Sequence, residues 1–65
     1  MTLYTIHLRS GEVREIETGG DARWVVNVLD WGVKVTRKVG PRHAPTSAEA
    51  YFIPWHRIDE VYYEN

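Results

Sequence analysis

Three histidines, two serines, a run of glutamates and a basic segment are the side chains here with the chemistry for catalysis or ligation. His7, His43 and His56 lie too far apart for an HxxxH or ExxH pair, the spacings that set two ligands side by side, so neither a metal site nor a cofactor is expected. Ser10 and Ser47 both fall in turn-type sequence, and neither has the glycine elbow that exposes a nucleophile. Ser10 is what a tight turn prefers. Glu12, Glu15 and Glu17 read as the solvated face of a strand rather than as an acid/base pair. No catalytic residue is assigned, and the chain is not expected to be an enzyme.

Charge is small in total and uneven along the chain. The net charge is −1, which argues against holding nucleic acid by global attraction. Residues 1–30 set Arg9, Arg14 and Arg23 against Glu12, Glu15, Glu17, Asp21 and Asp30. Residues 31–48 carry Lys34, Arg37, Lys38 and Arg42 with His43 and no acid, and residues 49–65 set Arg57 against Glu49, Asp59, Glu60 and Glu64. One basic segment therefore lies between two acidic ones. The set Lys34, Arg37, Lys38, Arg42 and His43 has three readings. It is a solvated strand whose lysines guard a sheet edge, a phosphate-contacting arm repeated around a ring, or a contact for an acidic protein surface.

The aromatic residues give a second candidate site. Three Trp and four Tyr in 65 residues exceed what so small a core can enclose, and Trp, Tyr and Arg dominate interface hot spots. Trp24, Trp31, Trp55, His56, Arg57, Tyr62 and Tyr63 are the candidates for an oligomer or partner contact, with Trp55 or Tyr62 foremost. The alternative is that two of the three Trp only lid the core.

These side chains must be positioned by one small domain spanning residues 1–65. Such a chain buries only about 60% of the surface it exposes when unfolded, and domains below about 70–80 residues usually need a disulfide, a metal, oligomerisation or very good packing. There is no Cys, which removes disulfides and thiol chemistry. The 43% apolar content is too high for a disordered chain. No apolar run nears the ~18 residues of a membrane span, and the N-terminus lacks the pattern of a signal peptide. A cytoplasmic domain without membrane contact is expected, and self-association is the remaining route to stability. Arg outnumbers Lys six to two, a bias of GC-rich genomes, which suits a bacterial or phage protein in a host cytoplasm.

Period-two patterning dominates. Tyr4, Ile6 and Leu8 alternate with Leu3, Thr5, His7 and Arg9. Ser10-Gly11 then turns the chain into a second strand over Glu12–Thr18, with Val13 and Ile16 apolar, and Gly19-Gly20 ends it. Residues 21–31 support two readings. As a helix, Asp21 is the N-cap, Gly32 lies past the end, and Ala22, Val25, Val26 and Leu29 form the apolar stripe. As a strand, Trp24, Val26 and Val28 share a face, and β-branched residues suit it better. Asp30-Trp31-Gly32 is then a hairpin loop with Gly at a left-handed position. Val33 to Val39 alternates as a strand with Lys34, Thr36 and Lys38 on its polar face. Gly40 to Ser47 is a loop, expected to be mobile, since two prolines and a glycine interrupt any ladder. Ala48–Ile53 is a strand ended by Pro54, and His56–Tyr63 a last strand or a turn plus strand.

Short antiparallel strands joined by tight turns predict a mainly β fold, a small SH3- or Sm-like barrel or a strongly bent sheet. The alternative is α+β in the order ββαβββ, with the helix over residues 21–31. Ile6-His7-Leu8-Arg9-Ser10-Gly11-Glu12-Val13, then Asp21, then Val26-Asn27-Val28-Leu29-Asp30 resembles the first half of an Sm-like or Hfq-like domain. Phe52-Ile53-Pro54-Trp55-His56-Arg57-Ile58-Asp59-Glu60-Val61 is similar to that family's closing hairpin. The resemblance implies a ring and single-stranded RNA binding, with Asp21 and His56 at matching positions. Val25 stands where that family has Asn, and the chain has no Gln. Two functions follow. The first is a non-enzymatic, self-associating protein-interaction module, dimer before ring, of an accessory or regulatory kind. The second is a small Sm-like nucleic-acid-binding barrel that uses the basic 34–43 segment.

Overall fold

The computed structural model describes residues 1–41 and 43–65, with the side chain of Glu49 left aside. Six strands and one short 3-10 turn run in the order β1 (Thr2–Leu8), β2 (Val13–Thr18), β3 (Trp24–Leu29), β4 (Gly32–Val39), β5 (Thr46–Pro54), η1 (Trp55–Arg57) and β6 (Ile58–Glu64). They form one open mixed sheet in the spatial order β5-β4-β3-β2-β1-β6. The fold is mainly β, as the alternation predicts.

The hairpin of β1 and β2 turns at Ser10-Gly11. The Leu8 amide donates to the Glu12 carbonyl and the Gly11 amide to the Leu8 carbonyl, each at 2.9 Å. Gly11 sits at φ 95°, a region that side-chain-bearing residues avoid. In-register pairing from Thr2↔Thr18 to His7↔Val13 follows, and β6 adds to the other edge of β1 from Leu3↔Glu64 to Leu8↔Ile58, with an irregularity at His7/Leu8. Residues 19–23 then bend the chain, and β3 sets off parallel to β2, pairing with it at Thr18↔Trp24. β2 and β3 run the same way and meet at this one pair. The sheet thereby divides into two antiparallel halves, β6-β1-β2 and β3-β4-β5.

The helical reading of residues 21–31 is overturned: Trp24–Leu29 is a strand paired with β4 from Trp24↔Arg37 to Leu29↔Gly32. The capping residues fit a helix equally well, but Val25, Val26 and Val28 keep their χ1 freedom only in an extended chain. The hairpin loop is just Asp30-Trp31, so Gly32 belongs to β4 rather than to a left-handed loop position. It is Gly for room, because a Cβ there would meet the Ile53 carbonyl and lie 2.7 Å from the Phe52 ring and 2.8 Å from Pro54 Cα. The predicted loop ends early, since Thr46 and Ser47 already pair with Val39 and Lys38.

Among the described residues seven apolar side chains are buried, and both halves supply them. Ile6, Leu8, Ile16 and Ile58 come from one half, Val33, Val35 and Ile53 from the other, with Tyr4, Trp24, Val26, Tyr51 and Val61 packed around them. Inward residues alternate as the pleat requires. Of Trp24, Val26 and Val28, read as sharing a face, the first two pack against the core and Val28, near the end of its strand, is exposed. The molecule measures 37 × 22 × 20 Å, an elongated shape that leaves much surface for so few buried groups. Among the described residues, no helix is long and apolar enough to cross a membrane.

Candidate protein interface

The predicted contact residues separate into three groups. Trp24 is half-buried against the core, with the Arg37 guanidinium 5.6 Å from its ring centroid. It is the Trp that lids the core. Trp31 and Trp55 lie together at the end of the β3-β4-β5 half. The Trp55 amide donates to the Trp31 carbonyl at 3.3 Å, and the Trp55 indole Nε1–H to the Leu29 carbonyl at 3.0 Å. These bonds fix the Trp55 ring across the Asp30-Trp31 turn, because an indole has a single donor to satisfy. His56 and Arg57 follow it, both exposed on η1.

Phe52 joins this end without having been singled out in sequence. It faces outward opposite Lys34, its ring placed against Gly32. Exposure is 65% for Trp31, 37% for Phe52 and 37% for Trp55, so three large aromatics crowd one end and present their surface to solvent. The signal was available: Tyr51 and Ile53 share the inward face, which turns Phe52 outward.

Tyr62 and Tyr63 form the third group, on the edge strand β6. Opposite faces were expected, and the register places Tyr62 beside Thr5 and Tyr63 beside Tyr4. Tyr62 meets the His7 ring edge-on with centroids 5.4 Å apart and hydrogen-bonds Glu60. Tyr63 lies 5.9 Å from Tyr4, tilted by 34°. Both are exposed, yet each has an aromatic neighbour within its own sheet half.

The basic set is not gathered on one surface. Lys34 and Lys38 alternate with Arg37 along β4, which directs Arg37 to the Trp24 side. His43 is exposed in the loop, and Arg42 lies outside the described residues. The edge-guarding reading fails on topology, because β4 is paired on both sides, with β3 and β5. A shallow cleft of about 140 Å3 lies beside Lys38 and Arg23, with Arg23 bound to the Gly40 carbonyl at 3.0 Å.

The remaining chemical candidates stay apart. His7 is on the outer face of β1, His43 in the loop and His56 on η1, and among the described residues no three metal-ligating side chains converge. Ser10 accepts from the Glu12 amide at 3.4 Å, the bond of a turn residue. Comparison with protein-family models, with curated proteins and with solved structures found no match. The reading of function therefore rests on this geometry alone.

Proposed function

We propose that the chain is a non-enzymatic, cytoplasmic protein-interaction module that self-associates through the aromatic end of its β3-β4-β5 half, as a dimer before a ring. The observation that carries this is that Trp31, Phe52 and Trp55 are exposed at one end of the half, with Trp55 fixed by its bonds to the Leu29 and Trp31 carbonyls. Rigid aromatics lose little entropy when covered, and Trp leads among residues that dominate contacts. The small core adds to it: burial against a second copy supplies apolar area that seven side chains do not.

A strongly bent, SH3- or Sm-like arrangement belongs to the same proposal. Its support is that inward residues of both halves meet in one core, which a flat sheet does not allow. Light scattering across a concentration series tests the function. The expected result is a dimer at micromolar concentration, weakened at least ten-fold by Trp31→Ala, with a melting temperature that rises with concentration. A monomer throughout, with a constant melting temperature, overturns it. A salt-dependent mobility shift with single-stranded RNA would put the nucleic-acid reading in its place.

A further inference from the structure

Arg14 stands on the wrong face of its strand. It is opposite Ile6 and two residues from Ile16, both buried, so its side chain leaves β2 toward the interior. It escapes sideways, its guanidinium carbon 4.6 Å from the ring centroid of Tyr51, itself an inward residue of β5 beside Val35. The two side chains thus meet across the gap between the halves, where β2 and β5 are not paired with each other. The Arg14 Nε is shielded from solvent and makes no aligned hydrogen bond, while it forms an ion pair with the Glu12 Oε2 at 3.2 Å. The Tyr51 hydroxyl foremost, opposed by burial and aided by Glu12, raises the Arg14 pKa above its usual value, so this cation is permanent.

Around this pair opens a cleft of about 250 Å3, lined also by Leu8, Glu12, Phe52, Ile53 and Arg57. We propose that this cleft receives the carboxylate side chain of an extended acidic peptide from a partner protein. The proposal rests on the reading of the chain as a protein-interaction module, but not on self-association. Two guanidinium groups against one carboxylate leave a single net positive charge, which suits a monoanion. Their planar forks match a carboxylate bidentately. The cleft is below the roughly 300–1,000 Å3 of small-molecule sites, too small for a nucleotide and adequate for one side chain. The strand beside it, β5, is a sheet edge, and an extended peptide can add to such an edge while its side chains fill adjoining pockets. A charged residue where the pattern calls for an apolar one is also where function tends to override packing.

The test is an amide-shift titration of the full chain by NMR, using acetyl-Val-Thr-Glu-Val-Thr-amide, its Gln analogue and inorganic phosphate. Shifts at Leu8, Arg14, Tyr51, Ile53 and Arg57 are expected with the Glu peptide, at least ten-fold weaker binding with the Gln peptide, and weaker still with phosphate. Arg57→Ala, on an exposed residue, should weaken the Glu peptide at least five-fold and leave the Gln peptide unchanged; Arg14→Gln should do the same if it folds. Equal binding of the two peptides, shifts that spare both the cleft and β5, no shift at millimolar peptide, tighter phosphate binding, or an Arg57→Ala variant that binds like the parent each overturns the proposal. Light scattering on the same samples scores self-association separately, so failure of the cleft and failure of the aromatic contact are told apart.

Discussion

In the β6-β1-β2 half each exposed ring meets a partly buried one: Tyr63 lies against Tyr4 and Tyr62 against His7. In the β3-β4-β5 half, Trp31, Phe52 and Trp55 project together at one end. The outer faces differ in charge as well. Glu15, Glu17, Glu60 and Glu64 line the first, in register with Leu3, Thr5 and His7, while Lys34 and Lys38 alternate along the second. An acidic surface with internally matched aromatics stays solvated; an end crowded with exposed aromatics gains by being covered. The two halves share a core and differ in what they expose.

The largest effect should come from breaking what they share. Ile6 and Val33 are fully buried, one from each half. Ile6→Ala should cost about 2–5 kcal/mol, the transfer term plus the cavity. In a domain with so small a core this leaves the chain largely unfolded. The check is that circular dichroism and Trp fluorescence lose both halves in one transition. If the tryptophans of the second half stayed folded, the halves would be separate units.

Gly32→Ala should come next, at about 1–3 kcal/mol, by forcing β4 and β5 apart at Phe52 and Pro54. Urea unfolding measures it. Because the aromatic end is built around this contact, the same variant should loosen association, which couples the packing of the second half to its contact role.

A paired substitution then isolates the surface difference. Trp31→Ala should raise the dimer dissociation constant at least ten-fold, about 1.4 kcal/mol, with little change in protomer stability. Tyr62→Ala, at another exposed aromatic, should leave the dissociation constant within two-fold, since its ring already meets His7. Equal effects would mean that both halves carry the contact.

Much of this was legible before any coordinates. Alternation located β1, β2 and β4, and Ser10-Gly11 located the first turn. Residues 21–31 resisted because Asp21 and Gly32 satisfy helix capping while the valines favour a strand; the β-branched preference leans toward a strand, and pairing with β4 decides it. Arg14 was hidden by habit. Val13 and Ile16, three apart, cannot share a strand face, and choosing Ile16 as inward necessarily brings Arg14 inward too. Gly32 read as a turn glycine because its true reason, the Phe52–Pro54 backbone passing close by, is set by a strand twenty residues away in sequence. The basic set looked continuous in sequence for the same reason: alternation along β4 sends neighbouring cations to opposite faces.

The smallest expected effect concerns whether charge in the first half is structural or only solvating. Arg9 and Asp59 approach to 3.7 Å, with both side chains largely exposed. Exposed pairs of this kind contribute about 0.2–1 kcal/mol, are screened by salt, and require two flexible side chains to be held. The same two segments are already joined by the Arg9 amide donating to the Arg57 carbonyl at 2.9 Å, a bond that no side-chain substitution removes. Asp59→Asn should therefore shift the urea midpoint by the equivalent of about 0.5 kcal/mol or less, and the shift should vanish in high salt. A loss above about 1 kcal/mol that persists in high salt would show that this ion pair, rather than the backbone bond, closes the β1–β2 turn onto η1, and the acidic half would then owe its shape to charge as well as its solubility.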